Sequence, residues 1–599
     1  MMEEAPEGEE QVSEELAAQS LATQLSRIRS SITVHDLTQV QTIFDYSLSS
    51  TAGNKSNGFK QVFRKKSFQV EAYIFLPQQV GINTNEYLRS HFYRDLRPLL
   101  RFREPRFRYK DFIGSAKQES WSPMVAVMAL CAKLATGEQV SEGQLTTAIN
   151  ETRISAVSFS SYLIKRINRR CRQLERLPLT HAGLDGDELN KKLGKILGRI
   201  DPLLRRIAFL RRRWCDALGR LERMESQAPA LGQLREEMRL ADEYCHYRIY
   251  DGLTRLGFSL HQASKGDSSL PVVRAYTQRS LVWLRWLRFI AAKRAYSWIG
   301  EEVDAKAQEQ YVFRKNMLKK RMWQVFYLSM KPRSTLALQK QVAYMAAAGF
   351  AAAWAFAANI MIWQKVQEHH ATSVYEWQNL INFSGLFLAL GVIAAYVFQD
   401  RIKEWGRVKF RRGLFGNLPD LSEKIWARTL SDEPVAIGVI HESVDFLKEK
   451  NLPEDICSVR SKLPAIDMTG NEKIICYRKV VSFAAGAFDK LALPHPVVRD
   501  IVRFNISRFL PKLDDPVQTT LCFRRDGQVT KVQIPKIYHL DMILRYSSQN
   551  IGEQMEDITI NYNRLAFNKN GLIRVEAQEE SDYKRKKIVN EFFSYLDNW

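Results

Sequence analysis

The sequence has no paired cysteines. Cys131, Cys171, Cys215, Cys245, Cys457, Cys476 and Cys522 lie far apart, with an odd total and no C-x-x-C pair. This argues against a disulfide framework or a zinc site and points to reduced, buried thiols in a cytosolic compartment. The P-loop, G-x-G-x-x-G, H-E-x-x-H, G-x-S-x-G and EF-hand patterns are missing too, so no motif nominates a catalytic residue, a metal ligand or a cofactor. His441-Glu442-Ser443 with Asp445 offers triad residue types, but neighbours on one element do not converge as a triad does. The first fifteen residues lack the basic start and apolar run of a secretory signal. They hold seven glutamates instead, and 1–35 reads as a disordered acidic tail.

Acidic residues are otherwise in short supply. The 599 residues carry 88 Lys and Arg against 66 Asp and Glu, a formal charge of +22, which asks for an anionic partner, phosphate backbone or lipid headgroup. The excess sits mainly in residues 1–340 (+19), with +5 in 401–599. A mean hydropathy of −0.30 excludes a polytopic membrane protein. The length implies roughly three or four folding units.

Only two uncharged stretches are long: 342–363 (VAYMAAAGFAAAWAFAANIMIW) and 377–398 (WQNLINFSGLFLALGVIAAYVF). As helices of 22 residues each would reach about 33 Å, against a hydrocarbon core of about 30 Å. The first run holds ten alanines and alone suits a buried soluble helix; the second is more apolar. The flanks are basic. Arg314, Lys315, Lys319, Lys320 and Arg321 precede the first run, and Arg401, Lys403, Arg407, Lys409, Arg411 and Arg412 follow the second. Positive flanks stay cytoplasmic. The expectation is a two-helix transmembrane hairpin in the cell membrane, multi-pass, with both termini cytoplasmic, a short external loop at 364–376, and the two basic flanks touching anionic lipid. Gly349, Ala353 and Ala357 recur every four residues, and Gly385 and Ala389 repeat the spacing, which allows close helix–helix packing in a membrane. Glu368-His369-His370 in the loop could hold a divalent cation, although adjacent histidines rarely face one ion; a solvated loop is the plainer reading.

The soluble parts read as follows. Residues 36–115 form a small α/β unit, with SFQVEAYIFL (Ser67–Leu76) alternating as a strand. Arg101–Phe112 interleaves arginines with aromatics, a pattern suited to single-stranded nucleic acid or to a solvated edge strand. Residues 140–330 are helical. An a/d seam runs from Leu189 through Leu203, Ile207, Leu210 and Trp214 to Met224, and a second from Leu231 to Leu260, predicting an antiparallel coiled-coil hairpin within a bundle. Leu281–Trp298 suits either a helix lying on a bilayer or a bundle helix. Residues 413–510 read as helical and 511–599 as β-rich, with hairpins at Asp526-Gly527 and Asn570-Gly571. The fold class expected is a mainly α membrane protein with a C-terminal α+β domain and an antiparallel sheet. The function expected is a membrane-anchored, oligomeric scaffold or signalling/assembly protein that binds protein partners. A membrane-surface enzyme, a channel or transporter subunit, and nucleic-acid binding follow in that order.

Overall fold

In chain order the strands are β1 (Arg29–Val34), β2 (Gln39–Ser47), β3 (Lys66–Leu76), β4 (Leu96–Phe102), β5 (Ser329–Pro332), β6 (Leu421–Arg428), β7 (Pro434–Leu447), β8 (Lys473–Phe483), β9 (Val497–Asn505), β10 (Val517–Phe523), β11 (Val529–Pro535), β12 (Tyr538–Asn550), β13 (Met555–Asn568), β14 (Gly571–Ala577) and β15 (Ser581–Lys586). The helices are α1 (Arg89–Asp95), α2 (Tyr109–Ile113), α3 (Pro123–Ala135), α4 (Glu142–Thr180), α5 (Gly186–Leu197), α6 (Ile200–Glu222), α7 (Pro229–Ala263), α8 (Pro271–Arg294), α9 (Ala305–Trp323), α10 (Ser334–His370), α11 (393–404) and α12 (Glu454–Arg460). This computed structural model describes residues 28–47, 66–77, 87–114, 122–180, 186–224, 229–264, 271–298, 304–332, 334–370, 390, 393–404, 419–461, 472–491, 497–523, 528–550, 555–577 and 581–586.

Strand β3 shows how the sheets are assembled. It pairs antiparallel with β8 (Lys66↔Phe483) and with β12 (Phe75↔Asp541), strands some 400 residues or more further along the chain. Phe68, Val70, Ala72, Ile74 and Leu76 face the main core, while Tyr73 and Phe75 face a second one with Ile474, Cys476 and Ile543. A strand buried on both faces reads as a near-continuous apolar run. The larger sheet has the order β14-β13-β12-β3-β8-β7-β6-β5, with β15 also on β13; the smaller has the order β1-β2-β9-β4. Both therefore mix strands from 29–102 with strands from beyond residue 420, and α12 covers the second core through Ile456.

Helices α3 to α9 are inserted between β4 and β5. The seam residues Leu203, Ile207, Leu210, Trp214 and Leu221 of α6 are buried, as are Leu234, Met238, Ile249, Leu256 and Leu260 of α7. Pro202 stands in the first turn of α6, after α5 has ended at Leu197; there its missing N–H leaves no helical bond unmade. The longest packing partner of α7 is α4 rather than the neighbouring seam helix. Helix α8 buries Val273, Tyr276, Leu287 and Ala291 and exposes Leu281, Val282 and Phe289.

Two expectations are overturned. The fold is not that of a mainly α membrane protein: strand makes up 30% of the described residues, in large antiparallel sheets, and 413–510, read as helical, contains β6, β7, β8 and β9. The physical reason is that β8 (KIICYRKVVSF) is almost wholly buried, and a short buried apolar run has no period to tell strand from helix. The two-span transmembrane hairpin is not supported either. Among the described residues one helix, within α10, is long and apolar enough to cross a bilayer. Most of the second run, 377–398, lies outside the described residues.

Candidate functional site

Helix α10 carries the apolar stretch Tyr344–Met361, of which 11% is buried. Phe350, Trp354, Phe356, Met361 and Trp363 are exposed, while Ala347 and Ala351 are covered. The small-residue stripe Gly349, Ala353 and Ala357 is exposed, and a Cβ built on Gly349 would meet nothing within 4 Å. Gly385 and Ala389 lie outside the described residues. The expected external loop begins inside this helix, because α10 continues to His370. As consecutive helical positions, 369 and 370 are about 100° apart. In α11, Ile393, Tyr396, Val397 and Phe398 are exposed. Arg401 is exposed and lies 3.5 Å from Glu404, and Lys403 is half-buried. Arg407, Lys409, Arg411 and Arg412 lie outside the described residues.

The basic residues ahead of α10 divide in two. Three of them are engaged by acids of α7: Arg314 with Glu243 at 2.8 Å, Lys315 with Asp251 at 2.6 Å and Arg321 with Glu237 at 2.8 Å. Glu237 also takes Arg153 of α4, so these charges tie α9 to the bundle. Lys319 and Lys320 are exposed. Partial desolvation by its neighbours and the repulsion of Arg248, Arg101, Arg503 and Lys315 lower the Lys319 pKa.

Deeper in the bundle, Asp242 of α7 is fully buried and receives Arg211 of α6 twice, at 2.8 and 3.1 Å, and the Tyr296 hydroxyl at 2.9 Å. Burial alone would raise the carboxyl pKa; Arg211, Arg294 and Tyr296 outweigh it and hold it below the usual range. His246 lies one turn along, its Nδ1 3.3 Å from Arg211 Nη1. Burial and then Arg211 push its pKa down to about 3. A cavity of about 20 Å3 borders this cluster, lined by Ser155, Phe159, Arg211, Trp214, Asp242 and Cys245; it has room for one water. Burial pushes the Cys215 thiol up to about 11 and Cys131 up to about 12. Unlike these, Cys457 is exposed.

No protein-family model, curated protein or solved structure matches this chain.

A second buried charge cluster joins the two sheets. Lys479 of β8 is 1% exposed, with Nζ 2.7 Å from Asp500 of β9 and 3.3 Å from Glu442 of β7. The Tyr46 hydroxyl of β2 donates to Asp500 at 3.1 Å. Burial would depress the Lys479 pKa, but Asp500 and Glu442 raise it, so the ammonium stays charged. A third cluster lies on the far face of the larger sheet. Glu71 accepts from Arg478 at 2.9 Å, Arg545 at 3.0 Å and Tyr73 at 2.9 Å. Beside it, Asp541 binds Tyr562, Arg564 and Arg460, and Arg460 also pairs with Glu472. Here each arginine has a carboxylate, so the cluster ties strands together and leaves no excess charge for a ligand. His441, Glu442 and Asp445 all lie on β7. Glu442 is committed to Lys479, and Asp445 binds Arg89 at 2.7 Å, so the triad residue types do not assemble. Among the described residues no group of three His, Cys, Asp or Glu is placed to hold a metal.

Proposed function

We propose that the protein is a membrane-attached assembly protein: α10 holds it at an anionic bilayer of the cell, and its helical and β regions offer binding surfaces to protein partners or to further copies of itself. The reading is carried by the exposed apolar surface of Tyr344–Met361. Each large apolar side chain left in water forgoes about 1.5–3 kcal/mol, and Phe350, Trp354, Phe356, Met361 and Trp363 recover it together in hydrocarbon. The uncommitted charges of Lys319 and Lys320 suit lipid headgroups on the same side. The β10–β11 ribbon supports the partner half of the reading. It pairs with neither large sheet and exposes Leu521, Phe523, Val529 and Ile534. A lone two-stranded ribbon is marginal in water, and an apolar one gains from a partner that covers it.

Carbonate washing of membranes from cells that express the full chain tests the anchor. The wild-type chain is expected in the pellet. Replacing exposed Ala352 and Phe356 by arginine, at about 2.5–3.5 kcal/mol for each charge near a helix centre, should move most of it to the supernatant without loss of fold. A wild-type chain that is soluble after cell breakage, before any wash, ends the reading. Crosslinking in the intact membrane then reads the partners.

A further inference from the structure

The smaller sheet turns one face to the core; the other, partly covered by α9, leaves Arg97 exposed and Arg101 and Arg499 14% and 19% exposed, and it repeats one charge. Register sets Arg97 of β4 directly opposite Arg503 of β9, and Arg101 directly opposite Arg499. The core-facing neighbours Leu96, Leu100, Phe102, Val498, Val502 and Phe504 are buried, which fixes all four arginines on the other side. Like charges directly opposite on adjacent strands are destabilising, yet here two such pairs stand side by side.

Helices add to the imbalance. The Arg101 guanidinium lies 4.1 Å from the Trp323 ring centre at the end of α9; its Nη1, shielded from water, makes no hydrogen bond among the described residues and has Glu104 Oε2 at 4.0 Å. Lys319 of α9 stands close enough to Arg101, Arg503 and Arg248 of α7 to be repelled by them, and Arg248 pairs with Asp251 at 3.5 Å. Against these, Asp45 is taken by Arg499 at 2.6 Å and by Arg103 at 3.4 Å. Among the described residues Arg503 has only the neutral Gln41, at 3.2 Å. No carboxylate among the described residues pairs with Arg97 or Lys319. Residues 97 and 101 are four apart on a strand, about 13 Å, with Leu99 and Ile501 between the two arginine pairs. One phosphate cannot serve both ends.

We infer that the outward face of the β4–β9 pair, with Lys319 and Arg248 at its rim, binds a membrane-lipid headgroup that carries more than one phosphate. Charge complementarity selects the chemistry, since arginine forks match phosphate oxygens. Chain connection selects the source, and this step rests on the membrane-attached reading above. Leu328 N donates to Leu100 O at 3.0 Å and Tyr327 bridges Arg101, and seven residues later α10 begins. Its first ten residues, 334–343, rise roughly 15 Å before the apolar stretch, so the arginine face is tethered close to the headgroup layer.

The full chain in neutral detergent micelles, titrated with short-chain phosphatidylinositol bisphosphate, is the test. The bisphosphate should bind at least about tenfold more tightly than phosphatidylserine at equal micelle charge. Replacing exposed Arg97 and Lys319 by glutamine (R97Q/K319Q) should weaken bisphosphate binding on the order of tenfold, while the thermal midpoint stays at the wild-type value. Equal affinity for both lipids, tighter binding of inorganic tripolyphosphate or of a single-stranded oligonucleotide, or an unchanged affinity in the double variant would each overturn the inference. Carbonate extraction of R97Q/K319Q separates the two claims: it should remain in the pellet, whereas a failed anchor would show in the wild-type chain.

Discussion

Replacing Lys479 by methionine is expected to destabilise the chain by about 3–5 kcal/mol, because it leaves Asp500 and Glu442 without their cation inside the protein. Lys479 is sealed between the two sheets, with Asp500 fully buried and Glu442 nearly so. Water cannot replace the lost partner. The loss is read in urea unfolding of the full chain in detergent, as a lower midpoint at unchanged slope. Substituting Asp500 by asparagine in the same chain should restore part of it, since a neutral amide costs less to bury than an unpaired carboxylate. A K479M midpoint within 1 kcal/mol of wild type would show that the pair is exposed to water, contrary to its placement between the sheets.

The second large effect is a loss of stability in weak acid that begins at neutral pH. His246 stays neutral in the folded chain down to about 3, because burial and Arg211 oppose its protonation, whereas the unfolded imidazole takes a proton near 6.5. Between those values the unfolded state binds more protons, so stability falls as pH falls. At about 1.4 kcal/mol per unit, the drop from pH 8 to pH 4.5 comes to about 2–3 kcal/mol. Asp242 and Glu71 act at lower pH. Arginines overcome burial to hold both carboxyls below their ordinary values of 3.8 and 4.5, so their contribution is present above those values and lost as pH falls through the lowered ones. His246→Gln should therefore flatten the stability profile between pH 6.5 and 4.5 and leave the steeper loss below pH 4. A profile for H246Q that keeps the wild-type slope in the upper window would assign that slope to other groups.

What the sequence made legible was local. The spacing of Leu203, Ile207, Leu210 and Trp214 places them on one face of a helix whatever they pack against, and they are buried in α6. The alternation of SFQVEAYIFL marks β3 in the same way. Partners were not legible: nothing within Ser67–Leu76 names Lys473–Phe483 or Tyr538–Asn550 as its neighbours, and a window of some fifteen residues cannot span that separation. The same limit hid the arginine face. Arg97 and Arg101 stand in one segment and Arg499 and Arg503 in another, and only the register makes them opposite. It also coloured the reading of α9. RKNMLKKRMW shows five cations and no acid, yet Glu237, Glu243 and Asp251 of α7 meet three of them. Those acids sit beside the apolar seam of α7, at Met238 and Ile249 among others, and a carboxylate so placed was the available hint.

The interleaved sheets have a consequence for biosynthesis. Strand β3 leaves the ribosome about 400 residues ahead of β8, which at roughly 5–20 residues per second is about 20–80 s. Helices α3 to α9 make their contacts with one another and can form during that interval. A strand with two apolar faces and no neighbour on either edge cannot, and is the part of the nascent chain in most need of a chaperone. Trimming the N-terminal end past residue 76 would accordingly remove the middle of the larger sheet, leaving β8 and β12 with bare edges facing each other.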